Sequence, residues 1–165
     1  MTRTVILIRH CKSDWGSSTG DHNRPLNSRG VRSAPRIGAW LAAHDLTPDA
    51  VLCSDARRTQ QTWAGIADQL PGKPSLTLSH SLYLAEPEVM LEALQATTAK
   101  TIALIAHNPG IAALAWELTQ TPAADDRFAS YPTGATSVLR FEQAISLGQG
   151  KLLHFITPRD LSDPR

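Results

Sequence analysis

Apolar residues fall along this chain in two rhythms. Val5-Ile6-Leu7-Ile8 and the stretch 101–106 are short unbroken runs of strand-forming residues, which predict buried strands. Elsewhere the apolar positions recur at helical spacing. Asn27 or Ser28 can cap a helix over 29–44 that puts Val31, Ile37, Trp40 and Leu41 on one face. Pro35 lies inside it and predicts a late start or a kink. Residues 50–53 read as a short strand. Ser54 or Asp55 then caps a helix that runs to Leu70 and stops at Pro71-Gly72-Lys73-Pro74. A brief strand over 76–78 and a helix over 87–96 follow. Pro109 is a good first-turn residue for a helix to about Leu118. Residues 14–25 and 119–132 read as polar loops. Residues 136–141 and 151–157 read as a closing strand pair around Gly148-Gln149-Gly150.

Strands separated by helical patterns predict the α/β class, as a three-layer α/β/α sandwich with a mostly parallel central sheet. At 165 residues the chain is expected to form a single domain over 1–165 with a substantial core. It carries neither an internal repeat nor a low-complexity segment.

Composition narrows the chemistry. The formal net charge is +1, so there is no overall basic field to attract nucleic acid or an acidic membrane. No stretch approaches the roughly 18 apolar residues of a membrane span. Met1-Thr2-Arg3 runs straight into the first strand without an apolar leader, which predicts a cytoplasmic location. Cys11 and Cys53 are too few for a disulfide scaffold and fit a reducing compartment. Cysteine phosphatases need an Arg after five intervening residues. Those positions are Ser17 and Thr59, so a thiolate nucleophile of that kind is excluded.

Three predicted strands end in reactive residues. The first ends in Arg9-His10, the second in Cys53-Ser54-Asp55-Ala56-Arg57-Arg58, and the 101–106 strand in His107-Asn108-Pro109-Gly110. The open ends of parallel strands are where α/β folds collect ligands. Helices starting near Ser54 and Pro109 would aim N-terminal amides at the same place, which suits an anion. Histidine can act as a neutral nucleophile, and arginine forks onto phosphate oxygens. The set points to phosphoryl chemistry.

With Arg24-Pro25-Leu26, Ser54, Arg58, Gln61-Thr62 and His107-Asn108-Pro109-Gly110 added to Arg9-His10, the chain resembles the histidine phosphatase superfamily, whose fold is phosphoglycerate mutase-like. Arg-His-Cys-Lys-Ser-Asp-Trp, Arg-Pro-Leu-Asn-Ser-Arg-Gly, Leu82-Tyr83 and Pro132-Thr133-Gly134 resemble the SixA-type phosphohistidine phosphatases. The likeness runs from Val5 to about Arg159. It departs at Cys11, where the superfamily usually has glycine.

The resemblance implies roles. His10 would be the nucleophile, Arg9 and Arg58 the phosphate clamp, and His107 a further donor to the phosphoryl group. The family spacing of Ser, three residues, Arg selects Arg58. Arg57 would point about 100° away along the helix. Arg24 would enter the pocket, with Ser13 and Asn108 as further substrate contacts. Glu86 is the candidate general acid by position, with capping of the 87–96 helix as its other reading. Asp21, His22 and Trp15 would line the rim. The remaining histidines His44, His80 and His154 are expected on the surface, and Trp40, Trp63 and Trp116 in the core. No metal and no cofactor are expected, since no His, Asp and Glu set has metal-ligand spacing.

The expected activity is phosphatase chemistry through a phosphohistidine intermediate. The expected substrate is phosphohistidine on a protein, such as a histidine phosphotransfer domain. A nitrogen leaving group needs less help from an acid than an ester does. Two other readings stay open: a phosphatase or mutase for a small phosphomonoester, which would need Glu86 or Glu88 as acid, and a non-catalytic phosphate-binding module.

Overall fold

The computed structural model describes residues 1–164. Six strands form one sheet: β1 (Arg3–Arg9), β2 (Ala50–Ser54), β3 (Ser75–Ser79), β4 (Thr101–Ala106), β5 (Thr136–Phe141) and β6 (Lys151–Ile156). Their order is β3-β2-β4-β1-β5-β6. The first four are parallel, while β5 runs antiparallel to β1 and β6 antiparallel to β5. The closing hairpin is therefore the part of the sheet that departs from a parallel arrangement.

Alternate residues of β1 feed two separate cores, which is why the strand reads as continuously apolar. Val5 and Leu7 pack with α3 (Pro87–Ala96), α4 (Gly110–Leu118) and Phe128. Ile6 and Ile8 pack on the other face with α1 (Ser28–Ala43) and α2 (Arg57–Ala67). These are the three expected layers. Asn27 caps α1 by accepting from the Gly30 amide. Helix α1 passes through Pro35 without a late start. The missing Pro35 N–H leaves the Val31 carbonyl without its intrahelical partner.

Several sequence expectations shift. Val31 is exposed, because α1 buries its small residues instead: Ala34 and Gly38 lie against α2, and Gly30 lies against the Lys12 backbone. Helix α2 starts at Arg57 rather than at Ser54 or Asp55, because Ser54 completes β2. Trp63 is buried, whereas Trp116 is 49% exposed and Trp40 half-buried. Loop 119–132 contains the short helix α5 (Arg127–Ser130), held by Arg127 pairing with Asp125 at 2.7 Å. Among the described residues, no helix is long and apolar enough to cross a membrane.

Candidate active site

Strand register builds the site. Arg9 pairs with Ala106 across the parallel β1–β4 ladder, and Cys53 pairs with Ile105 across β2–β4. His10, Ser54 and His107 therefore emerge together at the carboxyl edge of the sheet. A cavity of about 210 Å³ opens there, lined by Arg9, His10, Ser13, Arg24, Arg58 and His107 among others.

His10 is 6% exposed. Its Nδ1–H donates to the Cys11 carbonyl at 2.7 Å, which leaves Nε2 as the free lone pair. Burial pushes its pKa down to about 3; the Cys11 bond, the next largest effect, opposes this, and Arg9, Arg58 and Arg24 add smaller downward pushes. The imidazole is neutral at physiological pH, the state a nucleophile requires.

His107 lies beside it, with ring centroids 5.4 Å apart. The Ser54 hydroxyl accepts from the Ala56 amide and sits 2.7 Å from His107 Nε2, so it can donate there. The proton then belongs on Nδ1, a buried nitrogen that has no partner among the described residues. Burial and the neighbouring His10 lower the His107 pKa to about 3. The arrangement offers a neutral N–H donor to an incoming anion.

Three guanidiniums surround the histidines. Arg58, 2% exposed, donates to the Asp21 carbonyl at 2.7 Å and to its carboxylate at 3.2 Å. Arg24 donates to the same carboxylate at 3.0 Å and to Ser13, and lies 3.7 Å over the Trp15 ring. Arg9 donates to the Tyr131 carbonyl at 3.1 Å. Its pKa is lowered by burial and by Arg58. Tyr131 has left-handed backbone (φ 51°), and its carbonyl also accepts from the Asn108 amide. Asn108 lines the cavity but spends its N–H groups on Ser130 and Tyr131.

Asp21 is the residue whose part was missed in the sequence. It binds Arg24, Arg58 and the Tyr83 hydroxyl, and those contacts, the Tyr83 bond first, hold its carboxyl far below the usual range. Glu86 sits elsewhere. It is exposed, precedes the first turn of α3 and does not line the cavity, while Leu84 does. Arg57 is exposed and lies outside the cavity, as its spacing implied.

Both cysteines are fully buried, and burial pushes each thiol up to about 12. Next to the cavity, His22 and His80 each bond to Asp55, at 2.7 and 3.0 Å. Their ligand-capable atoms lie within 4.8 Å of one another. Linear spacing gave no sign of this trio, and the hydrogen bonds account for its geometry.

Residues 5–82 match the model of the histidine phosphatase superfamily, branch 1. An uncharacterized protein of Mycobacterium tuberculosis (strain H37Rv) is 33% identical over 162 residues, spanning 92% of this chain and 100% of the relative. A 2,3-bisphosphoglycerate-dependent phosphoglycerate mutase of Bradyrhizobium sp. strain BTAi1 is 38% identical over 87 residues, 51% of this chain and 42% of the mutase. Among solved structures, the candidate phosphohistidine phosphatase SixA of Nakamurella multipartitia superposes with a TM-score of 0.83 at 30% identity. That match covers 96% of this chain and 97% of the other.

Proposed function

Because this chain belongs to the histidine phosphatase superfamily, we propose that it is a phosphatase that removes phosphate from phosphohistidine on a protein. The observation that carries the reading is His10 itself. It is a buried, neutral imidazole with Nδ1 committed to Cys11 and Nε2 free among three guanidiniums.

The chemistry runs in two displacements. His10 Nε2 attacks phosphorus while the bond from phosphorus to the leaving nitrogen breaks, and that nitrogen takes a proton from solvent. Arg9, Arg24 and Arg58 neutralise the equatorial oxygens, and His107 Nδ1–H donates to one of them. Preorganised donors of this kind contribute about 3 kcal/mol each to lowering the barrier. Water then attacks phosphorus, the phosphorus–Nε2 bond breaks, and inorganic phosphate leaves with His10 restored to its neutral form.

The substrate class follows from what the cavity lacks. Among the described residues lining it, Asp21 is the one carboxyl, and its contacts keep it ionised. It cannot serve as a general acid near neutral pH. An alkoxide leaving group would go unprotonated, whereas an imidazole leaves without such help. The SixA likeness from Nakamurella supports the same class.

The test offers the protein a phosphorylated histidine phosphotransfer domain and a panel of phosphate esters, and compares kcat/KM. The expected result is a preference for the phosphohistidine domain, with an acid-labile, base-stable label on His10. A preference for an ester would move the substrate to a small phosphomonoester. Absence of a label that depends on His10 would remove the enzymatic reading altogether.

A further inference from the structure

A second cavity, of about 310 Å³, adjoins the first and shares Lys12 and Thr133 with it. Two close packings create it. Gly30, in the first turn of α1, lies so near the Lys12 carbonyl that a Cβ there would fall on it, and the Asn27 amide donates to that same carbonyl. This brings Arg29 beside Lys12. On the opposite wall Gly134 lies against the Pro158 ring, which seats the turn Pro158–Asp160 over the Thr133 loop and brings Arg159 to the cleft.

The charges in this cleft are unequal. Arg127, which forms one end, is neutralised by Asp125 and Asp160 and donates to Thr157 at 2.7 Å. Lys12, Arg29 and Arg159 form no ion pair among the described residues. Three free cations line one groove in a chain whose net charge is +1. The nearby acids Asp125 and Asp160 are both spent on Arg127, and Asp160 also accepts from the Thr157 amide.

We propose that this cleft is a docking site for an acidic segment of the phosphorylated protein substrate, next to the phosphohistidine held at His10. The proposal rests on the phosphatase reading and names how its substrate is chosen. Charge complementarity favours a carboxylate-bearing partner, and rim charges of this sort act on encounter and orientation. A second observation fits a macromolecule. Trp15, at the mouth of the catalytic cavity, is 73% exposed while its ring rests on Arg24, so the entrance is unroofed and presents an apolar plate. A substrate that continues past its phosphoryl group would cross Lys12 and Thr133 and enter the cleft.

The test uses Arg29→Glu and Arg159→Glu, both exposed positions, with Lys73→Glu as control at the opposite end of the sheet. Three substrates are compared: a phosphorylated histidine phosphotransfer domain, an aryl phosphate, and a small bisphosphorylated ester. The expected result is a KM for the protein substrate raised at least about tenfold by either cleft variant, and a shallower salt dependence. Turnover of the aryl phosphate stays unchanged, and Lys73→Glu alters neither. An unchanged protein KM with normal aryl phosphate turnover overturns the docking site and leaves the phosphatase reading standing. An equal loss on the aryl phosphate, or a loss confined to the bisphosphate, also overturns it, since the cleft would then serve small substrates. A wild-type protein that hydrolyses none of the three fails the phosphatase reading instead.

Discussion

His10 and His107 stand at the ends of adjacent parallel strands with their rings 5.4 Å apart, and His10 makes protonation of His107 unfavourable. Both have pKa values lowered to about 3 from an ordinary 6.5. The free enzyme should therefore keep its kcat/KM well below pH 6.5, once substrate ionisation is taken into account. A pH–rate profile on an aryl phosphate checks this, and an acid limb centred near 6.5 would contradict it. The same shift predicts a stability trend. Between about 6.5 and 3 the unfolded chain binds more protons than the fold, so this contribution is complete above 6.5 and is lost as pH falls toward 3. Thermal melts across that window should show the decline, and His10→Asn should lessen it, with the His107 part remaining.

Asp21 aims two arginines at once. Asp21→Asn should keep the fold but loosen Arg24 and Arg58, lowering kcat/KM by about ten- to a hundredfold, in line with small misplacements of a positioning group. Asp21→Glu should restore part of that loss if placement of the charge is what matters. Steady-state kinetics on both variants decide the point.

Glu86 faces solvent at the start of α3. Glu86→Gln is expected to leave turnover of both the phosphohistidine domain and an aryl phosphate unchanged. A selective loss on the ester would return this carboxyl to the mechanism.

Gly134 has φ +75° and donates its amide to the Arg9 and His10 carbonyls at 3.1 and 3.0 Å. Alanine would strain the backbone and press on Pro158. The expected cost is about 1–3 kcal/mol, read from urea denaturation.

The reacting histidines were legible because Arg9-His10 and His107 each directly follow an unbroken buried run, and parallel pairing then aligns the two run ends. Arg58 was legible through the resemblance, from the family spacing of Ser, three residues, Arg that starts at Ser54. Asp21 was not, because its partners Arg58 and Tyr83 lie 37 and 62 residues away and its own neighbourhood reads as an ordinary polar loop. Trp116 was misplaced for a different reason. Helix α4 is apolar almost all round, so periodicity selects no face, and the tryptophan points outward. Helix α5 depends on an Asp125–Arg127 pairing within a single turn, which leaves no periodic trace.

Tyr131 closes the chain on itself. Its hydroxyl donates to the Leu7 carbonyl, and its own carbonyl receives Arg9 and Asn108. A fragment cut ahead of this residue would still contain both reacting histidines and the guanidiniums of Arg9, Arg24 and Arg58, along with the whole stretch that matches the family model. It would nevertheless lack the latch that fixes where Arg9 points. Shortening the protein from its far end should therefore blunt the beginning of the active site before it removes any reacting group.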